Sequence, residues 1–407
     1  MATKRPAAVG ESRASRVRYV IILGALTALG PLSIDAYLPA LPQLAAELNA
    51  TALSAQLSIT SCLAGLGVGQ LVGGPVSDAF GRRRPLLFGL GLYLITSLMC
   101  AGVTSIWMMI AVRFLQGIGG AIGIVIANAV VRDQYSGHAA GKLFSLLLLI
   151  AGIAPVFAPI VGGKVLRFAT WPWIFIALAA LAAVVVASVA FVLPETLPTE
   201  RRQGGGLQAV GPIFMLLLSD RLFVGYMMAC GFSFAAMFDY IAGSSFVLQD
   251  IHGFSPQSYS MVFAVNAIGL VGAAQVSGHI VHRFGPRRLL GVGVAGSAIG
   301  GLVVLLSVLA GNGLILLLAG MFVVVTSVGL VMPNSMALAL QNNGEVAGSA
   351  AALMGLAMYF TGALSAPLAG IAGSTNALPM AISIALLGAA ALVSFILLIY
   401  TGRRSEK

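Results

Sequence analysis

Gly74-Pro-Val-Ser-Asp-Ala-Phe-Gly-Arg-Arg83 returns 204 residues later as Gly278-His-Ile-Val-His-Arg-Phe-Gly-Pro-Arg287. Each stretch follows the second long apolar run of its half, so the chain reads as two copies of one unit. The same shift lays Asp35 on Asp239. Hydrophobic residues make up 59% of the 407 and charged residues 8%, with a mean hydropathy of +1.01. Soluble domains carry about 25% charged residues, so most of this chain belongs in lipid.

The apolar runs predict helices. Leu178 to Leu193 holds no charge, whereas the strands of a membrane barrel alternate polar and apolar residues in pieces of roughly 10. Breaks at charged and Pro/Gly clusters predict twelve spans near 19–40, 55–77, 85–103, 106–130, 143–163, 171–193, 222–246, 257–280, 288–310, 313–340, 347–371 and 379–401. The first run continues past Leu38 without a small-residue cleavage site and reads as a span, not a removable signal. The expected fold is an all-α integral membrane protein of two six-helix pseudo-repeats. Its parts are an N-terminal tail (1–18), a first bundle (19–193), a linker (194–221), a second bundle (222–401) and a short tail (402–407). The linker is the longest polar interruption and holds Glu195, Glu200, Arg201, Arg202 and Gly204 to Gly206.

Placing both termini in the cytoplasm puts 19 of the 22 basic residues inside, leaving Lys164 and Arg167 outside and Arg113 within a span. The positive-inside rule therefore fixes this orientation as the expectation. It also accounts for the net charge of +10 without a nucleic-acid partner. Cys62, Cys100 and Cys230 fall inside predicted spans without metal-ligand spacing, which argues against disulfides and structural metal.

Parallel halves joined by a long loop are the architecture in which a substrate site lies between the halves and the halves rock around it. In the repeated loop, Gly74, Asp78, Gly81, Arg82 and Arg83 combine an acid at a helix end, a glycine turn and an arginine cluster. Such a set can form a charge-assisted latch in one conformational state; alternatively Arg82, Arg83 and Arg84 serve only as topology determinants. His282 stands where the second copy would need the acid.

Asp35, Arg113 and Asp239 are the ionisable residues expected well inside the bilayer, where each unpaired charge costs at least ~2.5–3.5 kcal/mol. At 1.5 Å per residue Asp35 lies ~24 Å beyond the inner end of its helix and Arg113 ~10 Å below the outer end of its own, similar levels in a ~30 Å core. The expectation is that Asp35 binds the coupling proton, Arg113 tunes it, and a cationic or polar substrate competes with the proton. The alternative for Asp35 is a permanently paired acid or a cap at the helix break beside Pro31 and Pro39. Asp239 reads as a second proton or cation site, or as a cap in an irregular helix. Around them Tyr37, Gln56, Gln116, Asn128, Phe234, Phe238, Tyr240, Asn266, Asn334 and Tyr359 could line a mostly apolar cavity with a few polar handles.

Other patterns carry no chemistry. Gly291-Val-Gly-Val-Ala-Gly296 begins an apolar span with no strand before it and no ribose-binding acid after it, so it reads as small-residue helix packing. Gly162-Gly-Lys164 lacks the earlier glycine and the Ser/Thr of a phosphate loop. His138, His252, His279 and His282 have no companion nucleophile or ligand cluster, so no enzyme is expected.

Gly74-Pro75-x-x-Asp78-x-x-Gly81-Arg82-Arg83 and Arg113-Phe-Leu-Gln-Gly117 resemble the loop and helix 4 signatures of the major facilitator superfamily. Within it, Pro31-Leu-Ser-Ile-Asp-Ala-Tyr-Leu-Pro-Ala-Leu-Pro42, Ile153-Ala-Pro-Val-Phe-Ala-Pro-Ile-Val-Gly-Gly163 and Gly231-Phe-Ser-Phe-Ala-Ala-Met-Phe238 resemble the Bcr/CflA, bicyclomycin-resistance type, drug/proton antiporters. The likeness covers essentially the whole chain. It implies that Pro155, Pro159, Gly162 and Gly163 form an antiporter motif. It further implies a multi-pass protein of the cell (inner) membrane, working as a monomer with protons as coupling ion and no other cofactor. The resulting expectation is drug:proton exchange exporting small amphipathic compounds such as bicyclomycin, chloramphenicol-like or sulfonamide antibiotics. Export of an endogenous metabolite is the nearest alternative, and a transporter-like ligand sensor the one of another class.

Overall fold

The computed structural model describes residues 13–135, 137–202, 210–311, 313–341, 343, 346–371, 373 and 375–401. The tails 1–12 and 402–407 and the linker glycines Gly204 to Gly206 lie outside the described residues. The described residues are mostly helical, with no strand among them.

Among the described residues twelve helices are long and apolar enough to cross a membrane: α1 (Arg18–Glu47), α2 (Ala52–Phe80), α3 (Arg83–Ala101), α4 (Ile106–Gln134), α5 (Ala139–Val165), α6 (Pro172–Val192), α7 (Arg221–Ile251), α8 (Pro256–Phe284), α9 (Pro286–Leu309), α10 (Leu314–Gln341), α11 (Ala347–Gly370) and α12 (Leu378–Tyr400). Several begin at sites the sequence provides. Thr51, Asp220 and Ser255 cap α2, α7 and α8 by accepting from the amides of Ser54, Leu222 and Ser258. Between α6 and α7, the stretch expected to be a plain linker contains a 3-10 turn, Thr199–Arg201, and a ten-residue helix, Val210–Ser219. The apolar run Phe214-Met-Leu-Leu-Leu218 explains that helix, since it needs a partner surface and packs beside α7 and α11.

An even number of crossings puts both ends of the chain on one side, called here the terminal face; the other is the far face. Within the first half α2 packs on α4 and α3 on α6, and within the second α9 packs on α10 and α7 on α11 and α12. The seam between halves is made by α2 against α11 and α5 against α8, two contacts that the repeat exchanges. Phe88, Phe191 and Ile315 are exposed, the last two by more than 80%. Such rings and branched chains suit a surface facing lipid, where all main-chain polar groups are bonded within the helices.

Candidate functional site

Pro31 sits inside α1, and Pro39 and Pro42 follow, so this span cannot stay regular. The α-helix ends at Asp35, a 3-10 turn covers Leu38–Ala40 and a short helix resumes at Leu41. The break sends neighbouring side chains to opposite sides of α1. Tyr37 turns into the first half, where its hydroxyl bonds Ser58 at 2.9 Å and its ring lies 4.4 Å beneath the Arg113 guanidinium. Phe175 of α6 stacks on the same pair, 5.5 Å from Tyr37 and 5.7 Å from Arg113. Arg113 donates to Gln116, and Gln116 donates to Ser97 at 2.8 Å. The Nε and Nη2 of this fully buried arginine have no hydrogen-bond partner.

Asp35 is 5% exposed and lies near Tyr240 and Tyr259 of the second half, close enough for its charge to influence both. Tyr240 accepts from Asn266 at 2.8 Å and stacks on Phe263 at 5.8 Å, while Tyr259 and Ser244 share a hydrogen bond at 3.4 Å. No described lysine or arginine forms an ion pair with Asp35. Arg113, expected to tune Asp35 from a similar depth, forms no ion pair with it, and Tyr37 takes the place beside the guanidinium.

The remaining cavity candidates divide. Phe234 and Phe238 of α7 stack at 4.8 Å, Tyr359 of α11 meets Phe234 edge-on at 5.8 Å, and Gln70 of α2 reaches the Tyr359 hydroxyl at 3.4 Å across the seam. Tyr37 and Gln116 belong to the Arg113 cluster, and Tyr240 to the Asp35 cluster. Asn334 joins neither: its amide donates to Ser277 at 2.7 Å and to the Leu330 carbonyl, holding α10 to α8. Asn128 is half-buried on α4 and is not brought to these groups. Gln56 lies by Gly370 at the far-face end of the seam.

Pro155 and Pro159 interrupt the hydrogen bonding of α5, and Gly162 and Gly163 follow at its far-face end. A Cβ on Gly162 would collide with the carbonyl of Ala36, directly after Asp35, so only glycine lets α5 approach the break this closely. Gly163 lies against Ser260 of α8 and accepts from Gln257 at 2.8 Å. Gln249 of α7 donates to the Pro39 carbonyl at 3.2 Å. These bonds close the seam toward the far face. Sequence reasoning missed Gln249 and Gln257; a glutamine at the end of an apolar span is the signal that could have found them.

At the terminal face the repeated loop forms a compact ionic node. Arg82 bonds Asp78, Ser77 (2.8 Å) and Asp133 at the end of α4 (2.8 Å). Glu195, just past α6, accepts from the amides of Arg82 at 2.8 Å, Arg83 at 3.2 Å and Leu197 at 3.0 Å. Burial would push the Glu195 carboxyl up, but those three amides and the nearby Arg202 charge outweigh it and hold the group below the usual carboxylate range. Burial likewise disfavours the Arg82 cation, and the hydrogen bonds and charges of Asp133 and Asp78 more than restore it. Gly74 lies within α2, where its carbonyl accepts from Ser77 at 2.9 Å, and Gly81 in the loop takes φ +87° where a Cβ would meet Glu195 and Arg202. These partners lie in the first half and the start of the linker, so the node ties α2, α4 and the segment after α6 together and none of its bonds reaches the second bundle.

A buried acid at a seam between two parallel bundles is the arrangement of a membrane transporter. The comparisons agree. Residues 23–367 match the family model of the Major Facilitator Superfamily, and the chain belongs to that family. It is 39% identical over 90% of its length to an uncharacterized MFS-type transporter YdgK of Bacillus subtilis, 91% of which is covered. It is 29% identical over 96% of its length to a bicyclomycin resistance protein homolog of Haemophilus influenzae, 97% of which is covered. Among solved structures it resembles a D-xylose-proton symporter with a TM-score of 0.73 at 19% identity, covering 95% of this chain and 97% of that one.

Proposed function

We propose that this transporter exports small amphipathic compounds, antibiotics of the Bcr/CflA type among them, in exchange for protons. The terminal face lies in the cytoplasm under this reading, because most basic residues gather there. The observation that carries it is Asp35: a buried carboxylate at the seam, at the break of α1, facing Tyr240 and Tyr259 without a permanent cation. An acid so placed can take a proton in one state and a cationic or polar substrate in another, and that competition couples the two fluxes. Arg113 contributes through Tyr37, which it holds against the first half so that the break keeps its direction. Phe234, Phe238 and Tyr359 offer apolar surface for a substrate on the same seam. One proton falling through 100 mV gains ~2.3 kcal/mol, enough for a roughly 50-fold gradient. The bicyclomycin-resistance name of one relative supports the drug class.

The test is substrate-driven proton release from the purified protein. Asp35→Asn should abolish release while substrate binding persists. Full release from that variant would remove Asp35 from the coupling role. A resistance profile of an efflux-deficient host separates antibiotic from metabolite export.

A further inference from the structure

Asp239 takes no part in the seam just described. It is fully buried at the junction of α7, α11 and α12, where one carboxylate oxygen accepts from Ser383 and the other has no partner. Ser365 of α11 lies beside the group, its hydroxyl 3.3 Å from the Gly362 carbonyl and 3.5 Å from that of Ala235. Four oxygens from three helices thus converge with no cation among them. α10, α11 and α12 contain no Asp, Glu, Lys, Arg or His among their described residues, and Tyr359 and Tyr400 are their titratable groups. α7 itself adds Cys230, Tyr226 and Tyr240, with Asp220, Arg221 and Asp250 at its ends. Around it α1 brings Asp35, Tyr37 and Glu47, and α8 Tyr259, His279 and His282. α2 brings Asp78 and Cys62, and α9 Arg287 and Arg288, of which Asp78 and both arginines sit at the terminal face.

Ser383 has a second aspect. It lines a groove of about 510 Å³ between α11 and α12, together with Leu368, Ile382, Leu386 and the far-face loop residue Asn376. Ser365 and Ser383 each lie five residues from the far-face ends of α11 and α12, ~8 Å at the helical rise. Both hydroxyls therefore sit near the far-face ends of their helices, and Ser383 places one edge of the buried cluster beside this groove.

We propose that Asp239, Ser365 and Ser383 form a second binding site for a monovalent cation, a proton or sodium, independent of the seam. Oxygen-only surroundings suit either ion, and a buried carboxylate without a cation calls for one. The site rests on the export reading only for its role in coupling; its occupancy is measurable without transport.

The experiment uses the full-length protein in nanodiscs, with three variants: Asp239→Asn, Ser383→Ala and Asp35→Asn. Difference infrared spectra across a pH step read carboxylic acid signals, and the melting midpoint is followed as sodium replaces choline at fixed pH. If the ion is a proton, one carboxyl band disappears in Asp239→Asn, survives in Asp35→Asn, and changes its midpoint by about one pH unit in Ser383→Ala, the size of one charge-assisted hydrogen bond. If it is sodium, the salt raises the melting midpoint of the parent and of Asp35→Asn but not of Asp239→Asn, and Ser383→Ala needs about tenfold more salt. Ser383→Ala retains the carboxylate, so it answers the question even where Asp239→Asn fails to fold. The proposal is overturned when neither response depends on Asp239 or Ser383. Loss of substrate-driven proton release in Asp35→Asn with an intact Asp239 signal separates the two sites.

Discussion

The loop after α2 and the loop after α8 share a backbone and differ in chemistry. Gly81 and Gly285 both adopt positive φ, 87° and 77°. Arg83 and Arg287 each donate to a main-chain carbonyl near the end of the last helix of their own half, Ala190 and Ile399. This shared part satisfies helix-end carbonyls. The first copy adds Arg82, Asp78, Asp133 and Glu195; the positions 204 residues on are Pro286, His282, Ala337 and Ile399. One bundle end is thus tied by ion pairs across three helices and the other by main-chain bonds, including Arg221 to the Leu397 carbonyl at 2.6 Å. The repeat preserved the turn, and the charges on it diverged.

The comparison breaks most readily at the arginines. Arg82→Ala leaves Asp133 and Asp78 without their cation and should cost about 2–3 kcal/mol, less than a fully buried pair because Asp78 is half exposed. Arg287→Ala loses one main-chain hydrogen bond, about 1 kcal/mol. Melting midpoints in one detergent should therefore fall clearly further for Arg82→Ala; equal losses would mean that the node adds nothing.

A smaller contrast lies in the glycines. Alanine at either 81 or 285 is strained by about 1 kcal/mol through its positive φ. At Gly81 the new Cβ also meets Glu195 and Arg202, while at Gly285 it meets nothing within 4 Å. Gly81→Ala should be the more destabilising of the two, and the order of their melting midpoints checks it.

The smallest effect is a pH dependence. The folded Glu195 carboxyl is held below its unfolded value, so its stabilisation is present above about pH 4.3 and is lost as pH falls through the folded value. The parent should lose melting temperature across that acidic window more steeply than Glu195→Gln. Parallel curves would show that the three amide bonds leave the carboxylate unperturbed.

Much of this architecture is legible in the chain's local composition. The twelve spans follow from their apolar runs, and the break in α1 from Pro31 and Pro39. The buried acids stand out because charge is so scarce between them. Rotation about the helix axes is not legible in the same way. Asp35 and Arg113 share a depth, yet Arg113 lies over Tyr37 while Asp35 lies near Tyr240. Asn334 has the character of a cavity handle and instead bonds Ser277. Asp239 matches Asp35 in the repeat, but its partners Ser365 and Ser383 come from α11 and α12, where serines are too common to single out.

The sequence by itself determined that this chain is a two-fold repeated helical membrane protein with few ionisable groups in lipid, because the thickness and dryness of a bilayer impose their demands segment by segment. Only the tertiary structure decided which of those groups meet, leaving Asp35 at the seam, Arg113 over Tyr37 and Asp239 beside a separate groove. Such meetings depend on helix rotation and on close approaches such as Gly162 against Ala36, which are set jointly by residues far apart in the chain.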